Sequence, residues 1–230
     1  MCRVFSMDLD WDAIGHDFGV DDDQISHETL PMRTFAVKPK QTIALVAQGK
    51  NGVRHLRGAN WSLIPRSSPN EALPFQTYNA RVESAQYRPF YCDSMHCMRA
   101  IIPASGYFEY KSHRPHYFHA PDDSPLSLAG LYSWWRPNPA TPWKLTATVI
   151  TCAATEEFWE IHKRMPLLIP RDKTDLWLDP ATDGASIIRG MRDAGYAVSE
   201  KLIYHEVSKI EGDGPQIIQP LSHETPLSLF

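Results

Sequence analysis

The chain lacks any apolar run of the ~18–20 residues that a membrane-spanning helix needs. Its first residues, MCRVFSMDLDWD, also lack the basic and apolar regions of a secretory signal. Cysteine is scarce, and four cysteines in 230 residues do not predict a disulfide framework. These absences favour an intracellular, cytoplasmic protein with reduced thiols and no membrane association.

Basic charge is also in short supply. The sequence has 23 lysines and arginines against 27 aspartates and glutamates, for a net charge of −4. Because phosphate contacts need cations, this balance counts against a nucleic-acid binder. The charges are unevenly distributed, however: acidic residues cluster at 8–12 and 21–23, whereas Arg54, Arg57 and Arg66 form a basic stretch. A folded chain could place these on opposite faces.

The cysteines give little support to a metal site. Cys92 and Cys97 have His96 between them, but no second pair of closely spaced cysteines follows. Buried reduced thiols are the simpler interpretation. We expect no metal and no cofactor.

Several segments predict β-strands. QTIALVAQ (41–48) and VRHLR (53–57) flank Asn51-Gly52, a pair typical of a type I′ hairpin turn. MRAIIPASGYFEY (98–110) indicates a strand, a turn and a second strand, while LSLAGLYSWW and WKLTATVITC are rich in β-forming residues. Segments 67–74 and 121–125, and the tail after residue 212, look irregular.

Helices are fewer. Thr155 can cap a short helix through TEEFWEIHK, and a second helix is predicted over 183–194, stopped by Gly195. We therefore expect an α+β fold, a single β-rich domain over residues 1–230 with a few short helices.

Cys2 has distinctive chemistry if Met1 is removed, as methionine aminopeptidases do before a small residue. A terminal cysteine carries an amine of pKa near ~8 and a thiol of pKa near ~8.5 on adjacent carbons. With an aldehyde, the amine forms a Schiff base and the thiol then closes a thiazolidine ring. On position alone, a second residue with no role is the simpler interpretation of Cys2.

Three further segments carry candidate groups. On an extended strand, Asn79, Arg81 and Glu83 would face one side, although a solvated strand face has the same pattern. Glu109 lies among aromatic and apolar residues, where burial would raise its pKa and suit it to proton transfer. His162 supplies an imidazole, which is more often structural than catalytic.

Together, MCRV, NARVE (79–83), IPASGYFEY (102–110) and IHKRMP (161–166) resemble the SRAP family, the SOS-response-associated peptidases. Members of that family open with Met-Cys-Gly-Arg and continue with Asn-Ala-Arg-x-Glu, Ile-Pro-Ala-x-Gly-Phe-Tyr-Glu-Trp and Ile-His-x-Arg-Met-Pro. NWSLIP (60–65), LAGLYSWW and TATVIT resemble further family segments. The similarity spans about residues 1–210.

The resemblance implies a covalent DNA–protein crosslinker that shields abasic sites in single-stranded DNA during DNA repair. It also implies an SRAP-type peptidase activity that exposes the cysteine by autoproteolysis, and Schiff-base chemistry like that of an abasic-site lyase. Cys2 would be the nucleophile, and Asn79 would hold the reacting sugar and the terminus. Glu109 and His162 would handle proton transfers.

The same resemblance implies DNA contacts. Arg81 and Arg164 would bind phosphates, and Trp61 would stack on bases or else belong to the core. Arg3-Val4 departs from the family's Gly-Arg, so Arg3 would partly replace that arginine as a phosphate contact. Tyr110 also departs, standing where the family has Trp. We expect a monomer that associates with the nucleoid when bound to damaged DNA.

Two alternatives remain open. An N-terminal-nucleophile hydrolase, such as a glutamine amidotransferase, would use the same cysteine against an amide. A non-catalytic nucleic-acid-binding module would rely on aromatic and basic residues alone.

Overall fold

Two β-sheets and four α-helices make up the part of the chain that the computed structural model describes, residues 2–221. The helices are α1 (Trp11–Asp17), α2 (Cys92–Cys97), α3 (Thr174–Leu178) and α4 (Gly184–Ser199). The strands are β1 (Val4–Met7), β2 (Thr34–Val37), β3 (Thr42–Gln48), β4 (Arg54–Trp61), β5 (Asn79–Arg81), β6 (Arg99–Ala104), β7 (Gly106–Lys111), β8 (Arg114–His119), β9 (Leu126–Trp135), β10 (Lys144–Ala153), β11 (Arg164–Pro166) and β12 (Ile203–Glu206). Within residues 2–221, no helix is long and apolar enough to cross a membrane.

Five strands close into a barrel in the order β10-β4-β3-β6-β9. The ring closes because β10 pairs with β4 in parallel and with β9 in antiparallel orientation. Closure removes the open sheet edges that would otherwise expose unpaired backbone groups. It also buries apolar side chains on neighbouring strands, such as Ile43 and Val46 of β3 and Ile101 of β6.

Strand β10 organises the end of the barrel where the candidate residues lie. Along one edge it pairs first with β4, at Thr146 and Ala147, and then with β5, from Val149 to Thr151. Along its other edge, β9 pairs up to Val149 and β11 pairs from Thr151 onwards. The short strands β5 and β11 therefore meet at the carboxyl end of β10.

The second sheet has the order β12-β8-β7-β1-β2, so the first strand of the chain lies inside it. All four residues of β1 are buried. Phe5 of this strand packs edge-on against Trp61 at the end of β4, with ring centroids 4.6 Å apart. This contact anchors the start of the chain to the barrel.

The predicted α+β, β-rich fold is confirmed, and the predicted strands form close to their expected bounds. The predicted type I′ turn is wrong. That turn needs positive φ at both central residues, but only Gly52 has it, with φ of 80°. Gly49 instead pairs with Val53 through its backbone N–H, which gives a wider loop.

Both predicted helices need correction. Thr155 caps nothing, because the segment after it forms only a short 3-10 helix, Phe158–Glu160, without a side-chain cap. The second helix begins at Gly184, with Asp183 as its N-cap rather than its first residue, and continues past Gly195 to Ser199. In the tail, a 3-10 helix forms at Pro215–Ile218 where irregular structure was expected, and residues 222–230 lie outside the described part.

Candidate active site around Cys2

Cys2 lies two residues before the start of β1 and is completely buried, whereas Arg3, between them, is exposed. This alternation follows from the extended backbone, in which neighbouring side chains point to opposite faces. Burial raises the pKa of the Cys2 thiol well above its ordinary value, and the nearby charge of Glu109 raises it further. The thiol is therefore protonated at neutral pH.

Glu109 is brought to Cys2 by the pairing of β7 with β1, in which Phe108 lies opposite Val4. Its side chain is buried between apolar neighbours. Burial raises the pKa of Glu109 to about 7, while the positive charges of the amino terminus and Arg3 act in the opposite direction. Near neutral pH this carboxyl group can both give and accept a proton.

His162 reaches the same place from the loop between the 3-10 helix and β11. Its Nδ1 lies 3.7 Å from Oε2 of Glu109. The same atom lies 3.0 Å from both the backbone nitrogen and the carbonyl oxygen of Arg164, which fixes the orientation of the ring. Burial lowers the pKa of His162, so the imidazole is mostly neutral at pH 7.

Asn79, the first residue of β5, holds the backbone at Cys2. Its Nδ2 donates a hydrogen bond to the carbonyl oxygen of Cys2 at 2.7 Å. Its Oδ1 is buried and has no hydrogen-bond partner among residues 2–221. The Tyr91 hydroxyl donates to the Asn79 carbonyl oxygen at 3.2 Å, a support that no feature of the sequence indicated. The site thus keeps one buried acceptor available for a ligand.

Arg164 has a different environment from the one predicted. Its Nη1 and Nη2 donate to the two carboxylate oxygens of Glu83, at 2.6 and 3.0 Å, and Nη2 also donates to the Thr151 carbonyl oxygen at 2.6 Å. These contacts engage both terminal nitrogens, so Arg164 joins β10 and β11 to the turn after β5 rather than presenting a free fork to phosphate. Glu83 lies beyond the end of β5 and is the ion-pair partner of Arg164.

Trp61 is not a stacking platform. It is fully buried, donates its indole N–H to the Tyr78 carbonyl oxygen at 2.7 Å, and packs against Phe5. The core alternative for this residue is the correct one. Arg3 and Arg81, in contrast, are exposed, and within the described residues neither forms an ion pair.

Two exposed aromatic side chains lie close in sequence to the residues around Cys2. Trp159 is half exposed, with the Lys163 ammonium 5.7 Å from its ring centroid, and it precedes His162 by three residues. Tyr110 directly follows Glu109 and is exposed on the same strand. Their proximity in sequence to His162 and Glu109 is the signal that could have identified them.

The described cysteines are all free. Across residues 2–221, no group of three or more histidine, cysteine or acidic side chains has a geometry that could hold a metal ion. The groups that the fold brings together here are the thiol of Cys2, the carboxyl group of Glu109, the imidazole of His162 and the amide of Asn79.

Known proteins resemble this chain over most of its length. The family model described as SOS response associated peptidase (SRAP) matches residues 1–210. The chain is 28% identical over 197 residues to the abasic site processing protein YoaM of Bacillus subtilis, covering 83% of this chain and 85% of the relative. It is 24% identical over 210 residues to the abasic site processing protein YedK of Escherichia coli, covering 86% and 89%.

Solved structures share the fold. An X-ray structure of a Bacteroides thetaiotaomicron protein superposes with a TM-score of 0.79 at 19% identity, covering 96% of this chain and 100% of that one. A Bordetella bronchiseptica protein gives a TM-score of 0.73 at 24% identity, covering 90% of this chain and 100% of its own. With its family model matched over nearly the whole sequence, the chain belongs to the SOS response associated peptidase (SRAP) family.

Proposed function

We propose that this protein processes abasic sites in single-stranded DNA by capturing the damaged sugar covalently on Cys2. The observation that carries the proposal is the hydrogen bond from Asn79 to the Cys2 carbonyl oxygen, beside a Glu109–His162 pair. Relatives named as abasic site processing proteins support the choice of DNA as substrate.

The chemistry begins when removal of Met1 frees the α-amine of Cys2, either by autoproteolysis or by an aminopeptidase. An abasic deoxyribose equilibrates with a ring-opened aldehyde, and the amine adds to its C1′ carbon. Loss of one water gives a Schiff base. The thiol sulfur then adds to the same carbon and the thiol proton passes to nitrogen, which closes the thiazolidine. One water leaves in total.

The environment of the thiol sets the order of these steps. A buried thiol with a raised pKa is a weak nucleophile, so the amine reacts first and the sulfur follows within the same molecule. Glu109, with a pKa of about 7, can protonate the departing hydroxyl, take up the proton that the amine loses, and relay the thiol proton to the nitrogen at ring closure. Neutral His162 accepts a proton during opening of the sugar ring.

Binding uses the groups that remain available. The buried Oδ1 of Asn79 would accept a hydrogen bond from a sugar hydroxyl or from the α-amine. The exposed guanidinium groups of Arg81 and Arg3 would contact flanking phosphates. We further propose that one domain, residues 1–230, does this as a monomer in the cytoplasm.

The test is intact-mass measurement after incubation with an oligonucleotide that carries one abasic site. The protein without Met1 should gain the mass of the oligonucleotide less one water, in a bond that survives denaturation. Cys2→Ser keeps the amine but should give an adduct only when borohydride reduces the Schiff base. Cys92→Ser, a free cysteine elsewhere in the chain, is the matched control and should react like the natural protein.

The other functions give different outcomes. Undiminished heat-stable adduct with Cys2→Ser would overturn the proposed chemistry. Release of ammonia from glutamine without any adduct would indicate the hydrolase. Retention of the oligonucleotide on a native gel, with no change in mass, would indicate a binding module.

A further inference from the structure

A basic and aromatic surface lies at the other end of β10, away from Cys2. Trp143, directly before β10, is exposed, and the guanidinium carbons of Arg66 and Arg136 lie 4.7 and 4.2 Å from its ring centroid. Arg66, Trp134 and Trp143 line an open cleft of about 320 Å³. We call Arg66, Trp134, Arg136 and Trp143 the Trp143 patch.

The patch holds like charges close together. Each guanidinium group is attracted to the face of the indole ring, but the two groups repel each other across it. Among the described residues, no carboxylate lies within 4 Å of either arginine, and the neighbouring Glu71 is paired with Lys144. An external anion would relieve this repulsion.

Half of the twelve arginines outside the patch have a carboxylate partner in the described chain. The paired ones are Arg33, Arg54, Arg114, Arg164, Arg171 and Arg192. Those exposed without such a pair in the described chain are Arg3 and Arg81 near Cys2, Arg66 in the Trp143 patch, and Arg88 and Arg189 elsewhere. Cationic groups able to bind an external anion are thus found at both ends of β10.

A second cleft extends the patch. Trp134 also lines a cavity of about 250 Å³ together with Tyr132, His55 and Arg57. In this cavity, Nδ1 of His55 and Nε of Arg57 are buried and have no hydrogen-bond partner among residues 2–221. Buried polar atoms without partners are costly, so they point to a ligand with hydrogen-bonding groups.

The patch is connected to the active site by a continuous stretch of chain. In the segment between β4 and β5, Arg66 lies against the Trp143 ring, and the Ser68 carbonyl oxygen accepts a hydrogen bond from the Trp135 indole N–H at 2.8 Å. The segment ends at Asn79, which contacts Cys2. Asn79 lies beside Val149 of β10, six residues from Trp143, which is ~20 Å along an extended strand. A strand of DNA can span that distance.

We propose that the Trp143 patch and its adjoining cleft bind the undamaged single strand that flanks the abasic site. Indole and phenol rings stack on bases of any sequence, and guanidinium groups between them bind the phosphates. The inference rests on the proposed function for the position of the damaged nucleotide, but the patch itself needs no damage to bind.

Binding of undamaged oligothymidylates separates the two ideas, because no crosslink can form. Chains of about 15 and about five nucleotides lie near the two ends of the usual range of site sizes of single-strand binders. Replacing Arg66, Arg136 and Trp143 together by alanine should weaken binding of both undamaged chains, and of the long one about tenfold, because the patch binds undamaged strand on its own. The slope of log K against log salt should flatten by about 1.4, the contribution of two phosphate contacts.

Two further variants serve as controls for the triple variant. Trp143→Phe keeps a stacking ring and should retain most of the affinity. Arg192→Ala removes an arginine that is already paired with Asp193, and should change neither affinity nor slope. If the triple variant folds and binds the long chain with unchanged affinity and slope, the proposal is overturned. The proposal would also be overturned if the triple variant lost self-association of the protein but kept its affinity for DNA. Adduct formation with a short abasic oligonucleotide, measured separately, reports on Cys2 alone.

Discussion

At the scale of single residues, the fold holds the carboxyl group of Glu109 beside Cys2 in a buried environment. Burial there makes its ionised form costly. The folded protein holds the proton up to a pH of about 7, whereas the ordinary pKa of this side chain is 4.5. Folding therefore takes up a proton between these two pH values.

This difference predicts how stability changes with pH. Because the pKa of an acid is raised by folding, its contribution to stability is complete below pH 4.5 and is lost as pH rises through about 7. Glu109→Gln cannot ionise and should escape this loss. Urea unfolding should show the variant gaining up to about 3 kcal/mol relative to the natural protein between pH 4.5 and pH 8. An equal difference at both pH values would contradict the assignment.

The residues predicted as catalytic could be identified from the sequence because residue type and motif indicate their chemistry. The structure brings them together. Asn79, Glu109 and His162 come from separate segments, yet each contacts Cys2 or another of the group. Trp61 and Arg164 were harder to assign. An indole serves equally well in a core or on a surface, and the partner of a guanidinium depends on which segments the fold brings together.

At the scale of elements, strands were easier to predict than turns or helix ends. The β9 and β10 segments contain enough β-branched and aromatic residues to be predicted as strands from sequence alone. The end of helix α4 was predicted too early, at Gly195, because glycine commonly ends a helix. In the structure Gly195 instead allows α4 to pack closely against the backbone at Leu168, since a Cβ at that position would lie 2.4 Å from the Leu168 carbonyl oxygen.

Helix α4 therefore supplies a matched pair of glycines. Gly190 has nothing within 4 Å of its would-be Cβ, so Gly190→Ala should raise the free energy of unfolding by about 0.5–1 kcal/mol through helix propensity. Gly195→Ala gains the same propensity but meets a backbone oxygen, and should lower that free energy by about 1–3 kcal/mol. Urea denaturation of both variants measures the difference. A stabilising Gly195→Ala would show that α4 packs less closely than described.

At the scale of the whole molecule, the net charge of −4 includes acidic side chains with local structural roles. Asp10 caps α1, Asp8 pairs with Arg33, and Asp22 and Asp23 lie in a 3-10 helix. The sequence indicated that acidic and basic residues were grouped along the chain. Where those groups lie in space depends on long-range pairing of strands, which local patterns do not encode.

Exposed Arg81, two residues along β5 from Asn79, tests this distribution. Arg81→Ala should weaken binding of single-stranded DNA and flatten its salt dependence by about 0.7, the contribution of one phosphate. Fluorescence titrations over a series of salt concentrations measure this slope. Arg164→Ala should chiefly lower stability, because it breaks the ion pair with Glu83. Equal slopes for the natural protein and Arg81→Ala would argue against a phosphate contact.

The place of β1 inside its sheet also bears on biosynthesis. One neighbour, β2, ends at Val37, but the other, β7, ends only at Lys111, and His162 lies still further along the chain. Cys2 is thus synthesised before every segment that comes to surround it. Its contact with Asn79 and the Glu109–His162 pair beside it can form only once those later segments exist, so any message truncated before β11 yields a polypeptide without this arrangement.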